Sequence, residues 1–299
     1  MADFTNLLGI RIFISCIGCF GNVVLIFSIA HSHAKISAVK SFEVFLLGLA
    51  VSNLEEILIV NIYDILIHQN LSTETGTWSC CLLKFLTLSG ELSSISFTVV
   101  ICIFRYEKVK HAAERVNVPT HFNNVTSAIL VSFFCFVISF SLSSPVFILR
   151  VHSENETTSC APGFSQCDDL HCPTENCTYK YIFIVVCNIL PMLVVTVTSC
   201  RIIAGLLHQR KNVEPGIHAS GSRNFCWKTH RSTVAVLAAM GLFQVDWSLY
   251  LIFHFYCNGS NFVFWNEMKF FISTSYTSIS PYVFGIGNNL FSIKHFVRK

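Results

Sequence analysis

Charge is scarce in this chain. Only 12% of its 299 residues are Asp, Glu, Lys or Arg, about half the share found in soluble domains. That leaves no room for a soluble catalytic domain. No basic run is interleaved with aromatics, which excludes the usual footprint for nucleic acid. There is no His-Glu-x-x-His, no Gly-x-Ser-x-Gly and no paired carboxylate set, so no familiar enzyme chemistry is present. Nothing calls for a cofactor. Internal repeats, broken helices with paired Gly and Pro, and rings of pore charge are missing as well, which argues against a secondary transporter or channel. The first apolar run starts within about seven residues and lacks a basic leader, so a cleavable signal peptide is not expected. That run would serve as its own insertion signal.

What the chain has is apolar length. Hydrophobic residues make up 53% of it. Seven apolar stretches cover residues 7–30, 42–67, 82–104, 125–149, 179–203, 232–256 and 268–290. Each exceeds the ~20 helical residues that cross a ~30 Å hydrocarbon core. The expected fold is an all-α membrane protein, a single seven-transmembrane helix bundle over 1–299 with a short basic tail at 291–299.

The connecting segments fix an expected orientation. Lys35, Lys40, Lys108, Lys110, Arg115, Arg201, Arg210, Lys211, Arg223, Lys228, Arg231, Lys294, Arg298 and Lys299 all fall on one side of the seven runs. The other side has only Arg150 and Lys180, at the edges of one loop. Because Lys and Arg in short loops stay in the cytoplasm, the N-terminus is expected outside and the C-terminus inside. The Asn-x-Ser/Thr acceptors at Asn70, Asn155, Asn176 and Asn258 then all lie outside, whereas Asn124 lies inside and should stay unmodified. The formal net charge of +3 sits on the cytoplasmic face, where it suits anionic lipid.

Fourteen cysteines divide evenly under this topology. Cys80, Cys81, Cys160, Cys167, Cys172, Cys177 and Cys257 lie outside, where most would become disulfides. The spacing Cys-x6-Cys-x4-Cys-x4-Cys from Cys160 to Cys177 is not a familiar zinc pattern, so no metal is expected.

Ionisable groups in a bilayer are costly and turn inward. In the third run, Lys84, Thr87, Glu91, Ser94, Thr98, Cys102 and Arg105 recur at steps of three and four, which places them on one helix face. At ~1.5 Å per residue, Glu91 lies ~16 Å below Cys80 and Arg105 ~21 Å below Glu91. The second run groups Asn53, Glu56 and Asp64, with Glu55 beside them. The seventh groups Lys269, Ser273, Thr277 and Ser280. Asp246 and Trp247 sit near the middle of the sixth. Lys269 could pair with Glu91, Asp64 or Glu267, capture an anionic ligand, or snorkel to the surface. Ser94 and Thr98 serve equally well as packing residues. Pro145 and Pro191 mark expected kinks. His31 and His33 read as solvated loop residues, and His254 as a helix histidine.

The pattern resembles a rhodopsin-like G-protein-coupled receptor. Gly21-Asn22 lies in the first run, Leu49-Ala50-Val51-Ser52-Asn53 looks like the Leu-Ala-x-x-Asp motif, and Cys80 heads the third run. Phe104-Arg105-Tyr106 ends that run, Pro191 fits the fifth, and Ser280-Pro281-Tyr282-Val283-Phe284 stands where Asn-Pro-x-x-Tyr is usual. The departures narrow the family: Asn53 for the acid, Phe104 for the acid before the arginine, no Trp in the fourth run and no Pro in the sixth. Together these are similar to vomeronasal type 1 receptors and, in Phe104-Arg105-Tyr106-Glu107-Lys108-Val109, to the fish olfactory receptors related to class A. Bitter taste receptors are the nearest rival. With Thr274 seven residues before Pro281, an opsin is not expected.

The resemblance implies a plasma-membrane, multi-pass chemosensory receptor. Its partners would be a small odorant or pheromone, membrane lipid and a heterotrimeric G protein. It implies a ligand pocket at Thr87, Leu88, Glu91, Asp246 and Lys269, with Glu91 favouring a cation or hydroxyl donor and Lys269 an anion. It also implies coupling and switching through Phe104, Arg105, Tyr106, Asn22, Asn53 and Pro281, with any sodium site weakened by Asn53. Cys80 would bond Cys167 or Cys172, pinning the long outer loop over the cavity.

Overall fold

The computed structural model describes residues 2–32, 40–68, 77–114, 124–147, 174–212, 220–256 and 265–291. Seven rods run through these stretches: α1 (Ala2–Ser32), α2 (Ser41–His68), α3 (Thr77–Glu114), α4 (Val125–Ser143), a composite α5, α6 (Ser220–Tyr256) and α7 (Trp265–Gly287). The composite α5 is α-helical over Thr174–Phe183, π-helical over Ile184–Ile189 and α-helical again over Leu190–Asn212. No strand is found among the described residues. The seven expected runs are these seven rods, although several extend past them. The 38 residues of α3 span about 57 Å, well beyond a bilayer core.

Stretches of α1, α3, α4, α5 and α6 are long and apolar enough to cross a membrane. α2 and α7 spend polar residues on inward faces instead: Asn53 and Glu56 in one, Thr277 and Ser280 in the other, are buried. α3 lies at the centre, with 61% of its most apolar window buried against 22% for α4. The outward surfaces carry Phe13, Phe20 and Phe27 of α1 and Phe133 and Phe134 of α4, each more than half exposed. In water such surface would be a liability, but in lipid it is the ordinary exterior.

Two prolines shape the ends of the rods. Pro145 has no N–H to give the Ser141 carbonyl. The Ser144 hydroxyl donates to that carbonyl instead, at 2.8 Å, and the helix tightens into a 3-10 turn over Ser144–Phe147. Tyr179 then donates its hydroxyl to the Leu142 carbonyl, tying α5 to α4. Pro191 lies two residues past the end of the π-helical segment Ile184–Ile189. A wider turn upstream is one way to absorb the donor that proline lacks.

Asn124 caps α4, its side-chain oxygen accepting from the Thr126 N–H at 3.1 Å. Gly90 is a contact point between α3 and α2, where an added Cβ would lie 3.0 Å from the backbone nitrogen of Glu56. This close approach brings the inward faces of the two helices, and their carboxylates, toward one another.

Candidate functional site

A small cavity opens where α2, α3, α6 and α7 meet. Its lining includes Glu56, Glu91, Asp246, Trp247, Tyr250 and Tyr276, with hydroxyls from Ser94, Ser273 and Thr277. Three carboxylates from three helices thus face one space. Each is held by its own helix rotation. Glu91 lies on the polar stripe of α3, one residue past the Gly90 contact. Glu56 accepts a hydrogen bond from the Ser273 hydroxyl. Asp246 accepts one from Ser275 at 2.7 Å, the kind of partner an intramembrane acid requires. Among the described residues, no group of three or more His, Cys, Asp and Glu is arranged to hold a metal ion.

The aromatic wall is continuous. Trp247 packs edge-on against Tyr250 at 5.2 Å and lies tilted against Phe243 at 5.8 Å. Phe243 in turn meets Tyr276 at 5.5 Å. Such contacts stabilise by about 0.5–1.5 kcal/mol beyond area burial. Tyr276 shares a 2.6 Å hydrogen bond with Thr98, so the floor of the cavity joins α3, α6 and α7.

Of the five ligand residues named from sequence, Glu91 and Asp246 line the cavity. Thr87 and Leu88 do not: both are half-buried, and the Thr87 hydroxyl is spent on the Leu83 carbonyl at 2.9 Å. The Lys269 side chain lies outside the described residues, as do those of Asp64, Cys80, Cys167, Cys172, Asn70, Asn155, Asn176 and Asn258. Sequence reasoning did not carry Glu56 or Trp247 into the pocket. It also passed over Arg11, a cation inside the first run whose guanidinium lies 4.0 Å from the Phe270 ring.

Below the cavity is a buried polar knot. Asn53 donates to the Asn22 side-chain oxygen and to the Ser280 hydroxyl, each at 3.2 Å. It accepts from Ser94 at 2.8 Å. Asn22 donates to the carbonyls of Gly18 at 2.9 Å and Thr277 at 3.0 Å. With Asn53 neutral and both ends of its amide engaged, the knot is a network joining α1, α2, α3 and α7. Pro281 follows Ser280 inside α7.

At the far end of α3, Phe104 is buried, stacked on Phe42 at 5.8 Å and edge-on to Phe45 at 5.8 Å. Arg105 lies with its guanidinium carbon 3.8 Å above the Phe42 ring. The same guanidinium donates to Ser232 of α6 and, at 3.1 Å, to Asn288 just past α7. Tyr106 is half-buried and packs against the core.

The order of these features is one known arrangement. A family model described as "7 transmembrane receptor (rhodopsin family)" matches residues 21–283. The chain belongs to the rhodopsin family of seven-transmembrane receptors. No curated protein matches it closely enough to stand as a relative. The receptor is therefore a multi-pass plasma-membrane protein of a G-protein-coupled signalling class, one that generally takes small ligands and is not a class of enzymes. In this receptor Asn22, Asn53 and Ser280 meet in one knot, and Arg105 bonds Ser232 of α6 and Asn288 in the turn after α7 where an adjacent acid is usual.

Proposed function

We propose that this receptor is chemosensory: it binds a small organic odorant or pheromone in the cavity between α2, α3, α6 and α7 and activates a heterotrimeric G protein. The observation that carries this reading is the cavity itself, acid-lined and aromatic-walled, at mid-bundle in a member of this family. The departures at Asn53, Phe104 and the proline-free sixth helix support the vomeronasal-like subtype by resemblance. On this reading the N-terminus is extracellular and the Arg105 end of α3 faces the cytoplasm. Cys80 is joined to Cys167 or Cys172, and Asn70, Asn155, Asn176 and Asn258 carry glycans. Ligand binding shifts a two-state equilibrium toward an arrangement whose inner ends admit the G protein.

Glu56, Glu91 and Asp246 favour a ligand with a cationic or hydrogen-bond-donating group. An anionic ligand would require Lys269 at the outer half of α7. A bitter-taste-like receptor is the alternative and differs in ligand class rather than in mechanism.

The test is a G-protein activation assay in cells expressing the receptor, screened with amines, small organic acids, bile acids and steroids. Arg105→Ala should abolish the response while leaving ligand binding and surface display intact. An equal loss of ligand affinity in Arg105→Ala would count against its assignment to coupling. Silence across the panel from surface-displayed receptor, with a broad set of G proteins supplied, would count against the chemosensory reading.

A further inference from the structure

We propose that Glu55, at the junction of α2, α3 and α4, is a second binding site, open to the bilayer, for the ammonium group of a lipid-soluble amine. Glu55 directly precedes Glu56 on α2, yet Glu56 lines the cavity and Glu55 does not. Successive helix residues point about 100° apart, so one carboxylate turns into the bundle and the other turns aside. Glu55 is half-buried and borders the outward strip of α2. Val51, one turn before it, is 43% exposed, and Leu58, one turn after it, is 50% exposed. In a membrane-spanning receptor that strip faces lipid.

The protein's own groups do not satisfy this carboxylate. The Ser89 hydroxyl donates to it at 3.1 Å. That hydroxyl also lies 2.9 Å from the Leu86 carbonyl, and it has one proton to give to the two. Among the described residues no cation pairs with Glu55 and no second donor reaches it. Buried hydroxyls of the neighbouring helices are spent locally: Ser52 on the Gly48 carbonyl, Ser139 on that of Cys135 and Ser143 on that of Ser139. A carboxylate has about four acceptor positions, and one at this depth in a bilayer calls for a partner. A second group beside it is also short of one. Ser93, one turn below Ser89, is fully buried and its hydroxyl has no hydrogen bond.

Aromatic rings make the other half of a cation site. Phe85, Ser89, Ser93 and Phe97 follow at steps of four and share one face of α3. Phe85 stacks on Phe140 of α4 at 5.9 Å, and Phe97 meets Phe136 edge-on at 5.1 Å. Phe136 and Phe140 stack on each other at 6.4 Å. The two serines thus form a polar gap in an aromatic seam, with Glu55 at its edge. Phe140 is 40% exposed, so the seam reaches lipid. A carboxylate beside aromatic faces suits an alkylammonium, whose charge takes the acid and whose alkyl groups take the rings.

Depth decides where the amine comes from. Glu55 stands at the middle of the 28-residue α2, ~21 Å along it from Ser41. A phospholipid ammonium lies at the headgroups, about 15 Å from the centre of the hydrocarbon core, and does not reach it. An amine carried on its own apolar body arrives through the lipid. The site adjoins the cavity but is separate from it. Gly90, between Ser89 and Glu91, packs against the backbone of Glu56 and divides the two.

The experiment uses the full receptor in phosphatidylcholine nanodiscs and two photoreactive probes. Both carry the same long alkyl diazirine; one ends in a dimethylamino group and the other in a hydroxyl. Labelled peptides are identified by mass spectrometry. The amine should label the α2 and α4 peptides around Leu58 and Phe140 saturably, at about tenfold or more lower concentration than the alcohol, the value of one charge-assisted hydrogen bond. Glu55→Gln keeps the shape, removes the charge and should erase this preference. Glu91→Gln should leave it intact, which separates this site from the cavity. The comparison of amine with alcohol is made on the unaltered receptor, so it decides the matter even if Glu55→Gln fails to fold. Absent or equal labelling by the two probes, as expected where lipid, water or a neighbouring helix fills the gap, would overturn the proposal. So would an amine preference that survives Glu55→Gln or is lost in Glu91→Gln.

Discussion

Replacing Asn53 by leucine tests whether the polar knot below the cavity stabilises the bundle. The two side chains share heavy-atom count and branching, so shape is kept and the hydrogen bonds are removed, while two methyl groups in place of the amide add some crowding. Asn53 is 1% exposed and takes part in three side-chain bonds, to Asn22, Ser280 and Ser94. Interhelical bonds of this kind average ~0.6 kcal/mol and reach ~1.7. Three of them give roughly 2 kcal/mol on the average figure and about 5 at the ceiling. At about 2–4 °C per kcal/mol for a large domain, the lower figure alone predicts a fall in Tm of about 4–8 °C. Ser94→Ala removes one of the three bonds and should cost about a third as much. The assay can use the protein's own thiols: Cys102, Cys135 and Cys187 are free and buried, so a thiol-reactive fluorophore reports their exposure as the receptor unfolds. A Tm for Asn53→Leu equal to or above that of the unaltered receptor would refute the argument. It would mean that an apolar seam at this depth serves as well as the knot.

Three further outcomes are expected. Gly287→Ala improves helix propensity by about 1 kcal/mol, yet its Cβ would lie 2.0 Å from that of Ala235. Crowding should win, forcing α6 from α7 and raising ligand-independent signalling; a baseline that stays flat while Tm rises would show that propensity wins. Glu91→Gln and Asp246→Asn remove carboxylates while keeping shape. Each should weaken cationic agonists by tenfold or more and leave neutral ones little changed, and identical dose–response curves across a ligand panel would remove the residue from the site. Asn124→Gln should leave electrophoretic mobility unaltered before and after glycosidase, because Asn124 caps α4 on the side read as cytoplasmic. A mobility shift would invert the proposed topology.

Much of the site was legible along single helices. The stripe Glu91, Ser94, Thr98 and Cys102 was readable from its spacing, and all four are buried on the inward face of α3. Glu91 and Asp246 were singled out because an acid in a bilayer needs a reason. Asn288 left one local signal, a Gly-Asn-Asn run at the end of the seventh apolar stretch, which is a helix-stop pattern. Glu56 was noticed on its face but not assigned, since its partner Ser273 lies 217 residues away. Arg11 was hidden by its position inside an otherwise apolar run.

The sequence by itself determined the seven rods, their inward faces and the residue types buried there. Those properties follow from run length and from the 3.6-residue period, both local to one helix. Only the tertiary structure decided which inward residues meet. The Asn22–Asn53–Ser280 knot, the pairing of Asp246 with Ser275 and the bonds of Arg105 to Ser232 and Asn288 depend on how each helix is rotated and shifted against its neighbours. Contacts such as the one at Gly90 and the π-helical turn before Pro191 set those rotations. A period places a residue on a face, but it carries no information about which face of another helix lies opposite.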